Sequence, residues 1–177
     1  MSNIVFIATS LDGYIADKNN GVDWLHSIPE TESLDLGYDK HIASTDALVM
    51  GRNTFELVCS FDCDWPYSKP VFLLSNTMAE IPMGYEGKVN LMRGDLKEIV
   101  LQLNNAGFKQ LYIDGGITIQ NFLKQDLIDE MIITTIPIVL GGGISLFGEM
   151  GQSLRFACIS SEVYGNGICQ NRFVRKR

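Results

Sequence analysis

Five short apolar runs divide the chain, and within each run the hydrophobic residues are continuous instead of alternating with polar ones. Continuous runs of this length are typical of strands that are buried on both faces, as in a parallel sheet flanked by helices. The runs are Ile4–Ala8, Ala47–Met50, Val71–Leu74, Leu111–Ile113 and Met131–Ile136. The pattern therefore predicts a central sheet with helices on both of its faces.

Helical periodicity appears between these runs. The clearest helix begins after Asp95, a good N-cap, and ends before Gly107. It places Leu96, Ile99, Val100 and Leu103 on one face. Further helices are predicted over Thr31–Ala43, Asn53–Val58 and Ile117–Lys124. Because strands and helices alternate through most of the chain, the sheet is expected to be mainly parallel.

The C-terminal part of the chain follows a different pattern. Arg155–Val163 and Gly167–Val174 are β-like stretches that flank a turn-forming Tyr-Gly-Asn-Gly segment, which indicates an antiparallel hairpin. The expected fold class is therefore α/β, with three layers and a mixed, mostly parallel sheet. A chain of 177 residues with 46% hydrophobic residues can bury one sizeable core, so a single domain over residues 1–177 is expected.

Charge, cysteines and hydropathy narrow the class of partner. A net charge of −7 argues against a nucleic-acid-binding or anionic-membrane surface. No apolar stretch approaches the length of about 20 residues that a membrane span needs, and the N-terminus has no secretory-signal pattern. The four cysteines form no CxxC pair, and no metal site is predicted with only two histidines. We expect a cytoplasmic protein with a small-molecule partner.

Polar and small residues follow the second apolar run. Gly51 allows close approach of a ligand to the backbone, Arg52 supplies bidentate donors, and Asn53 and Thr54 begin the next helix. In an open α/β sheet, ligands collect at the carboxyl ends of the strands, where helix N-termini present unpaired amides. The segment suits a phosphate, although an ordinary strand-to-helix turn would use the same residues.

Two later junctions repeat this arrangement. Leu74 is followed by Ser75 and Asn76, and Asp114 is followed by Gly115 and Gly116 at the start of the helix that contains Ile117 and Thr118. The paired glycines would let a dinucleotide pyrophosphate lie against the backbone. Three such junctions favour a nucleotide. Gly141–Gly143 fits neither a Rossmann nor a Walker pattern, and is interpreted as a flexible connection that borders the cleft or as a purely structural segment.

Four segments together resemble a known superfamily. They are Ala8–Ala16 (ATSLDGYIA), Leu48–Glu56 (LVMGRNTFE), Ile113–Gly116 (IDGG) and Ile136–Gly143 (IPIVLGGG). The chain resembles the dihydrofolate reductase-like superfamily. Within it, the first and last segments are more similar to the riboflavin-biosynthesis reductase domain, the RibD C-terminal domain, than to dihydrofolate reductase itself. The match runs in order along nearly the whole chain.

The resemblance implies NADPH as the cofactor and hydride transfer to a small heterocyclic (pyrimidine- or pterin-like) or carbonyl substrate. It assigns Arg52, Asn53, Thr54, Ser75 and Asn76 to the phosphates and the 2′-phosphate-bearing ribose, and Gly115–Thr118 to the pyrophosphate. Ala8 and Ile15 would lie near the nicotinamide. A homodimer is also implied, to which Met131–Leu140 and the C-terminal hairpin could supply the contact.

The substrate side is less defined. In dihydrofolate reductase an acid on the first helix, shortly after a Trp, holds the pterin, and here none of the acids after Trp24 matches that place. The catalytic residue is therefore left unassigned, with Asp35 and Tyr38 as candidates because they lie about one helical turn apart. Trp24, Asp35 and Tyr38 are the predicted substrate residues. The alternative to an enzyme is a non-catalytic protein that binds or senses NADPH on the same fold.

Overall fold

The computed structural model describes residues 1–28 and 36–177. An eight-stranded sheet forms its centre, in the order β5-β4-β3-β6-β1-β7-β10-β9, and the first six strands in this order are parallel. The strands are β1 (Ser2–Thr9), β2 (Tyr14–Ala16), β3 (Ala47–Gly51), β4 (Val71–Leu74), β5 (Val89–Met92), β6 (Gln110–Asp114), β7 (Glu130–Thr135), β8 (Ile144–Ser145), β9 (Phe156–Val163) and β10 (Cys169–Arg175). The helices are α1 (Tyr38–Ser44), α2 (Arg52–Cys59), α3 (Leu96–Asn105) and α4 (Gly116–Lys124), with a 3-10 turn at Asp23–His26.

Both faces of the sheet are covered by helices, as the continuous apolar runs predict. Along β3, Ala47 and Val49 belong to one buried cluster and Leu48 and Met50 to the other, because successive side chains point to opposite faces. The first cluster includes buried residues of α3 and α4, and the second includes Phe55 of α2. The three-layer α/β architecture is confirmed.

The C-terminal hairpin is also confirmed. β10 pairs antiparallel with β7 on one side and with β9 on the other, so the two antiparallel strands lie at one edge of a parallel sheet. β7 lies between β1 and β10. The apolar segment that begins at Met131 is therefore an interior strand, and of the two predicted dimer contacts only the hairpin lies at an edge of the sheet.

The first helix is shorter than predicted. The periodicity indicated a helix over Thr31–Ala43, whereas α1 begins at Tyr38 and ends at Ser44. Residues 31–35 of that prediction lie outside the described residues. Gly37 adopts a left-handed conformation (φ 86°) immediately before α1, a geometry that glycine accepts readily and that interrupts a right-handed helix.

Three strands were absent from the sequence prediction. β5 has only one fully buried residue, Val89, and lies at the edge of the sheet. β2 and β8 pair with each other in a small antiparallel ribbon, and they are only three and two residues long. Such short, partly exposed segments carry little periodicity. They lie in segments for which the sequence predicted neither a helix nor a strand.

Candidate active site

The carboxyl ends of the parallel strands open into one large cavity of about 1230 Å³. β1, β3, β4, β5 and β6 all contribute residues to its wall at or near their carboxyl ends. Cavities that hold one drug-sized molecule are typically about 300–1,000 Å³. This cavity therefore has room for a dinucleotide together with a small second molecule.

All thirteen residues that the sequence proposed for a cofactor line this cavity. They come from four separate parts of the chain, which the parallel topology brings to the same edge of the sheet. They are Ala8, Ile15, Gly51, Arg52, Asn53, Thr54, Leu74, Ser75, Asn76, Gly115, Gly116, Ile117 and Thr118.

Two strand-to-helix junctions in the cavity wall interlock. A Cβ atom on Gly51 would lie 2.7 Å from Thr118 Oγ1, and a Cβ atom on Gly115 would lie 2.1 Å from Thr54 Oγ1. Gly51 thus leaves space for Thr118 in the first turn of α4, and Gly115 leaves space for Thr54 in the first turn of α2. Gly115 also has a φ of 92°, which disfavours any other residue. The glycines bring the starts of α2 and α4 together.

The starts of α2 and α4 also lack side-chain caps. Gly51 and Gly115 occupy the N-cap positions and offer no side-chain acceptor, whereas Asp95 caps α3 by accepting from the amides of Lys97 and Glu98. The first amides of a helix have no partner within the helix, and they carry a partial positive charge. Two uncapped helix starts side by side form a site for an anion such as a pyrophosphate.

An apolar part of the cavity wall lies beside the start of α4. Ile15 of β2 and Ile144 of β8 both line the cavity, and both pack on Gly116. A Cβ atom on Gly116 would lie 2.9 Å from Ile15 Cδ1 and 3.1 Å from Ile144 Cγ2. The small ribbon can approach the start of α4 this closely because residue 116 has no side chain. This wall suits an uncharged ring.

Several residues that line the cavity were not predicted from the sequence, and two groups of them bear on its chemistry. Met92, Arg93 and Gly94 follow β5, and they were missed because β5 itself was not predicted. Tyr67 lies in a segment for which the sequence predicted neither a helix nor a strand, between the predicted helix Asn53–Val58 and the strand at Val71. Arg93 adds a second guanidinium to a wall in which Arg52 was the only cation proposed.

Asp114 is the acid nearest the centre of the sheet in this wall. It ends β6, where it pairs with Met50 of β3, and its Oδ1 atom accepts from the amide of Gly115 at 2.8 Å. Burial raises the pKa of its carboxyl group from 3.8 to about 6, and the hydrogen bond from Gly115 only partly offsets this effect. Asp114 can therefore carry or release a proton near neutral pH. The sequence placed it beside the paired glycines and gave it no role.

Tyr67 separates the main cavity from a smaller one of about 410 Å³. It lines both, and burial, with a contribution from the charge of Asp114, raises its pKa well above the ordinary value of 10. Tyr38, a predicted substrate residue, lines only the smaller cavity. Tyr38 is therefore not gathered with the predicted cofactor residues, because Tyr67 lies between the two cavities.

Trp24 has a structural position. It is buried in a cluster with Ile136 and Ile168, and it does not line the main cavity. Its indole nitrogen has no hydrogen-bond partner among the described residues. The prediction that Trp24 contacts the substrate finds no support in this placement, because apolar neighbours surround the ring. Asp35, the other predicted substrate and catalytic candidate, lies outside the described residues.

The Gly141–Gly143 segment has the structural role that we weighed for it. A Cβ atom on Gly143 would lie 2.1 Å from the carbonyl oxygen of Ala16, so glycine is required where the two loops meet. The Asp12 carboxylate accepts from Ser10 Oγ and from the amides of Leu140 and Gly141. These hydrogen bonds connect the segment after β1 to the segment at Leu140 and Gly141. None of the three glycines lines the cavity.

Residues 1–28 and 36–177 contain neither a cluster of metal ligands nor a membrane-spanning helix. No group of three or more His, Cys, Asp or Glu side chains in this part of the chain is arranged to hold a metal ion. None of its helices is both long and apolar enough to cross a membrane.

Solved structures with the same fold include proteins whose names refer to riboflavin biosynthesis or to uracil reduction. A protein from Shewanella sp. PV-4 that is named for riboflavin biosynthesis is 62% identical, with a TM-score of 0.97 and coverage of 100% of both chains. The Thermotoga maritima diaminohydroxyphosphoribosylaminopyrimidine deaminase/5-amino-6-(5-phosphoribosylamino)uracil reductase is 14% identical, with a TM-score of 0.73 over 99% of this chain and 56% of that one.

A third structure connects the fold to dihydrofolate reductase. The enzyme of Enterococcus faecalis, solved in complex with NADP(H) and RAB-propyl, is 18% identical, with a TM-score of 0.69 over 99% of this chain and 97% of that one. At this identity the likeness shows the fold alone. The family model of the RibD C-terminal domain matches residues 68–170, more than half of the sequence. The chain belongs to the RibD C-terminal domain family.

Proposed function

We propose that this protein is an NADPH-dependent reductase that transfers hydride to a small pyrimidine- or pterin-like heterocycle or to a carbonyl compound. One observation carries the proposal. A single cavity gathers all thirteen residues proposed for the cofactor and adds Asp114, a carboxyl group whose pKa is about 6. A reductase needs both a dinucleotide site and a proton source.

The cavity wall fits the parts of NADPH. The uncapped starts of α2 and α4 would hold the pyrophosphate, since their amides are free and Gly51 and Gly115 allow close approach. The apolar wall of Ile15 and Ile144, with Ala8 on β1, would accept the nicotinamide ring and exclude water from it. When bound, NADPH supplies the hydride. The chain's own residues orient the two reactants and supply the proton.

Asp114 is the proton donor in this proposal. Hydride addition to a C=N or C=O carbon leaves the electron pair of the broken π bond on the nitrogen or oxygen, and that atom takes a proton. The carboxyl group of Asp114 gives up its proton to this atom and regains one from solvent. Because its pKa is about 6, the protonated form is present near neutral pH and becomes scarce at alkaline pH.

The substrate is proposed to lie between Asp114 and Tyr67. Both residues line the main cavity, and the phenol of Tyr67 can stack against a heterocycle. The smaller cavity beyond Tyr67, with Tyr38 on its wall, leaves space for a substituent. A pyrimidine is favoured within this class because the fold-related Thermotoga protein is named as a uracil reductase.

The test is substrate-dependent oxidation of NADPH. Purified protein is mixed with NADPH and with a panel of pyrimidines, pterins and simple carbonyl compounds, and the loss of nicotinamide absorbance is recorded. We expect turnover with at least one panel member, and a loss of about 100-fold or more in kcat for Asp114→Asn. Glu149→Gln, which removes a carboxylate that does not line the cavity, serves as the control.

The same experiment distinguishes the alternative function. A protein that only binds or senses NADPH would show saturable quenching of its tryptophan fluorescence by NADPH and no oxidation with any panel member. Equal turnover by Asp114→Asn and the wild type would exclude Asp114 as the proton donor. Absence of NADPH binding would refute the proposed function as a whole.

We also propose a cytoplasmic homodimer. All four cysteines are free thiols, as is usual in the reducing cytoplasm. The hairpin offers the contact, since β9 is an edge strand on which Ile159 and Val163 are more than half exposed. Light scattering should give twice the chain mass for the wild type and the chain mass for Ile159→Lys. A monomeric wild type would contradict the dimer.

A further inference from the structure

The end of the main cavity that is proposed for the substrate is lined mainly by apolar side chains. Leu57 and Val58 lie in the last turn of α2, and Tyr67 packs in the same buried cluster as Cys59, the last residue of α2. We call this part of the cavity the substrate end, and it is lined by Leu25, Leu57, Val58, Phe61, Tyr67 and Asp114. Of these side chains, only that of Asp114 carries a charge near neutral pH.

The cationic side chains of the main cavity lie elsewhere. Among the described residues, the cations in its wall are Arg52, Arg93 and Lys124. Arg93 follows β5, which is three strand positions from β6, so its backbone lies about 14 Å from that of Asp114. Lys124 ends α4, which packs on the opposite face of the sheet from Tyr67.

Arg52 shares α2 with the substrate end, but its charge is balanced. Its Nε atom forms an ion pair with Glu56 Oε1 at 2.6 Å, and both residues line the cavity. Val58 lies a further six residues along α2, which is about 9 Å along the helix axis. An anion bound beside Val58 would therefore gain little from this guanidinium.

The smaller cavity beyond Tyr67 adds no unbalanced positive charge. Among the described residues that line it, Lys69 is the one cation, and Asp39 lines the same cavity. Asp46 is also near Lys69: backbone amide hydrogen bonds and, to a smaller extent, the charge of Lys69 lower the pKa of the Asp46 carboxyl group. Residues 29–35, which lie outside the described residues, include three acids and no Lys or Arg. The charge of Lys69 is thus offset by two carboxylates.

From this distribution of charge we infer that the substrate is an uncharged ring of the pyrimidine or pterin type that carries no phosphate or other anionic substituent. The inference rests on the proposed reductase function and narrows its substrate class. A phosphate dianion at the substrate end would lose hydration without gaining a cation, and the Asp114 carboxylate would repel it. Apolar side chains and the ring of Tyr67 instead suit the faces of an uncharged heterocycle.

This substrate class differs from that of a protein with the same fold. The substrate in the name of the Thermotoga maritima reductase carries a phosphoribosyl group. We therefore expect the two proteins to share the hydride chemistry and to differ in whether a phosphate is accepted.

The experiment uses pairs of compounds that differ only in one phosphate group. A dihydropterin with a hydroxyalkyl side chain is compared with its phosphate ester, and a ribosylaminopyrimidine with its 5′-phosphate. For each compound, Kd is measured by titration into the protein saturated with NADP+, which prevents hydride transfer, and kcat/KM is measured with saturating NADPH. Thermal melting checks that each variant is folded.

Four variants test the cause of the preference. Leu57→Lys places a cation at a half-buried position of the substrate end, and Leu57→Met is its uncharged control. Leu101→Lys adds the same charge at an exposed position of α3 that lines neither cavity. Lys69→Ala removes the cation of the smaller cavity.

The wild type is expected to bind the unphosphorylated member of each pair more tightly by about tenfold or more. Leu57→Lys should reduce this preference by about tenfold, because its ammonium group can pair with the phosphate. Leu57→Met, Leu101→Lys and Lys69→Ala should keep the preference of the wild type. The values of kcat/KM should follow the same order for any compound that is reduced.

Three results would overturn the inference and leave the reductase function intact. They are a wild type that binds or reduces the phosphorylated members equally well or better, a loss of affinity for only the phosphorylated members in Lys69→Ala, and an unchanged preference in a folded Leu57→Lys protein. A wild type that does not bind NADPH, or that oxidises it with no ring compound, would refute the proposed function and this inference with it.

Discussion

Replacing Asp114 by Asn should stabilise the folded protein at alkaline pH while removing the proposed proton donor. Burial raises the pKa of Asp114 from 3.8 to about 6, so the folded state holds its proton more tightly than the unfolded chain does. Between these two values the folded state binds more protons, and its stability therefore falls as pH rises. Above pH 6 the wild type carries the whole cost of an ionised, partly buried carboxylate.

The size of the effect follows from the difference between the two pKa values. Each pKa unit corresponds to about 1.4 kcal/mol, so ionising Asp114 costs the folded state up to about 3 kcal/mol. Asn has nearly the same shape, and its amide oxygen can still accept from the Gly115 amide. Asp114→Asn should therefore raise the free energy of unfolding by about 2–3 kcal/mol at pH 8, and the gain should shrink as pH falls towards 4.

The assay is urea denaturation of both proteins at pH 5, 6, 7 and 8, followed by tryptophan fluorescence. Asp46→Asn is the control of opposite sign. The Asp46 carboxylate accepts from the amides of Gln110 and Lys109, which lowers its pKa, so its removal should destabilise the protein by about 1 kcal/mol at pH 8. If Asp114→Asn were no more stable than the wild type at pH 8, the assignment of a raised pKa to Asp114 would be wrong.

Two further predictions concern packing and acid stability. Gly51→Ala, at a φ of −88° that alanine accepts, should cost about 1–3 kcal/mol of unfolding free energy because its Cβ would lie 2.7 Å from Thr118 Oγ1. Adding Thr118→Ala should recover part of this loss, and a double variant no more stable than Gly51→Ala would contradict the interlocked junctions. The control is Gly165→Ala, whose Cβ would contact no other atom and which should change the free energy of unfolding by less than about 0.5 kcal/mol. Burial lowers the pKa of His41 from 6.5 to about 4, so the unfolded chain binds a proton at this residue more readily than the folded state does. The free energy of unfolding should therefore fall by up to about 3 kcal/mol as pH decreases from 6.5 to 4. In denaturation at pH 4 and 7, His41→Phe should therefore lose less stability than the wild type, and parallel losses would contradict this.

The sequence could predict the parallel core and many residues of the cavity wall because both depend on local patterns. β3 and β6 are continuous apolar runs, and a strand end followed by glycine and a helix start predicts an anion site without any knowledge of distant contacts. Parallel topology then brings such junctions to one edge. The gathering of the residues around Gly51 and Gly115 in one cavity follows from this rule.

The substrate side could not be predicted in the same way, because it depends on contacts between distant segments. Trp24 is buried by Ile136 and Ile168, which lie more than a hundred residues further along the chain. Asp114 gains its raised pKa from burial that only the folded sheet provides. A charged residue at the end of an apolar run was the one local signal that could have drawn attention to it.

Arg93 shows how one missed strand affects the interpretation of a site. Val89–Met92 has a single fully buried residue and no continuous apolar run, so its pattern resembles a loop. With β5 absent from the prediction, the residue after it was not recognised as a strand-end residue. Arg52 then appeared to be the only cation available for the 2′-phosphate.

The most direct test of the central claim is a crystal structure of the protein grown with NADPH. Our account predicts the pyrophosphate at the starts of α2 and α4, and the nicotinamide beside Ala8 and within reach of the space next to Asp114. Cofactor bound outside the cavity, or a cavity without cofactor at saturating NADPH, would contradict the claim that this site serves a reductase.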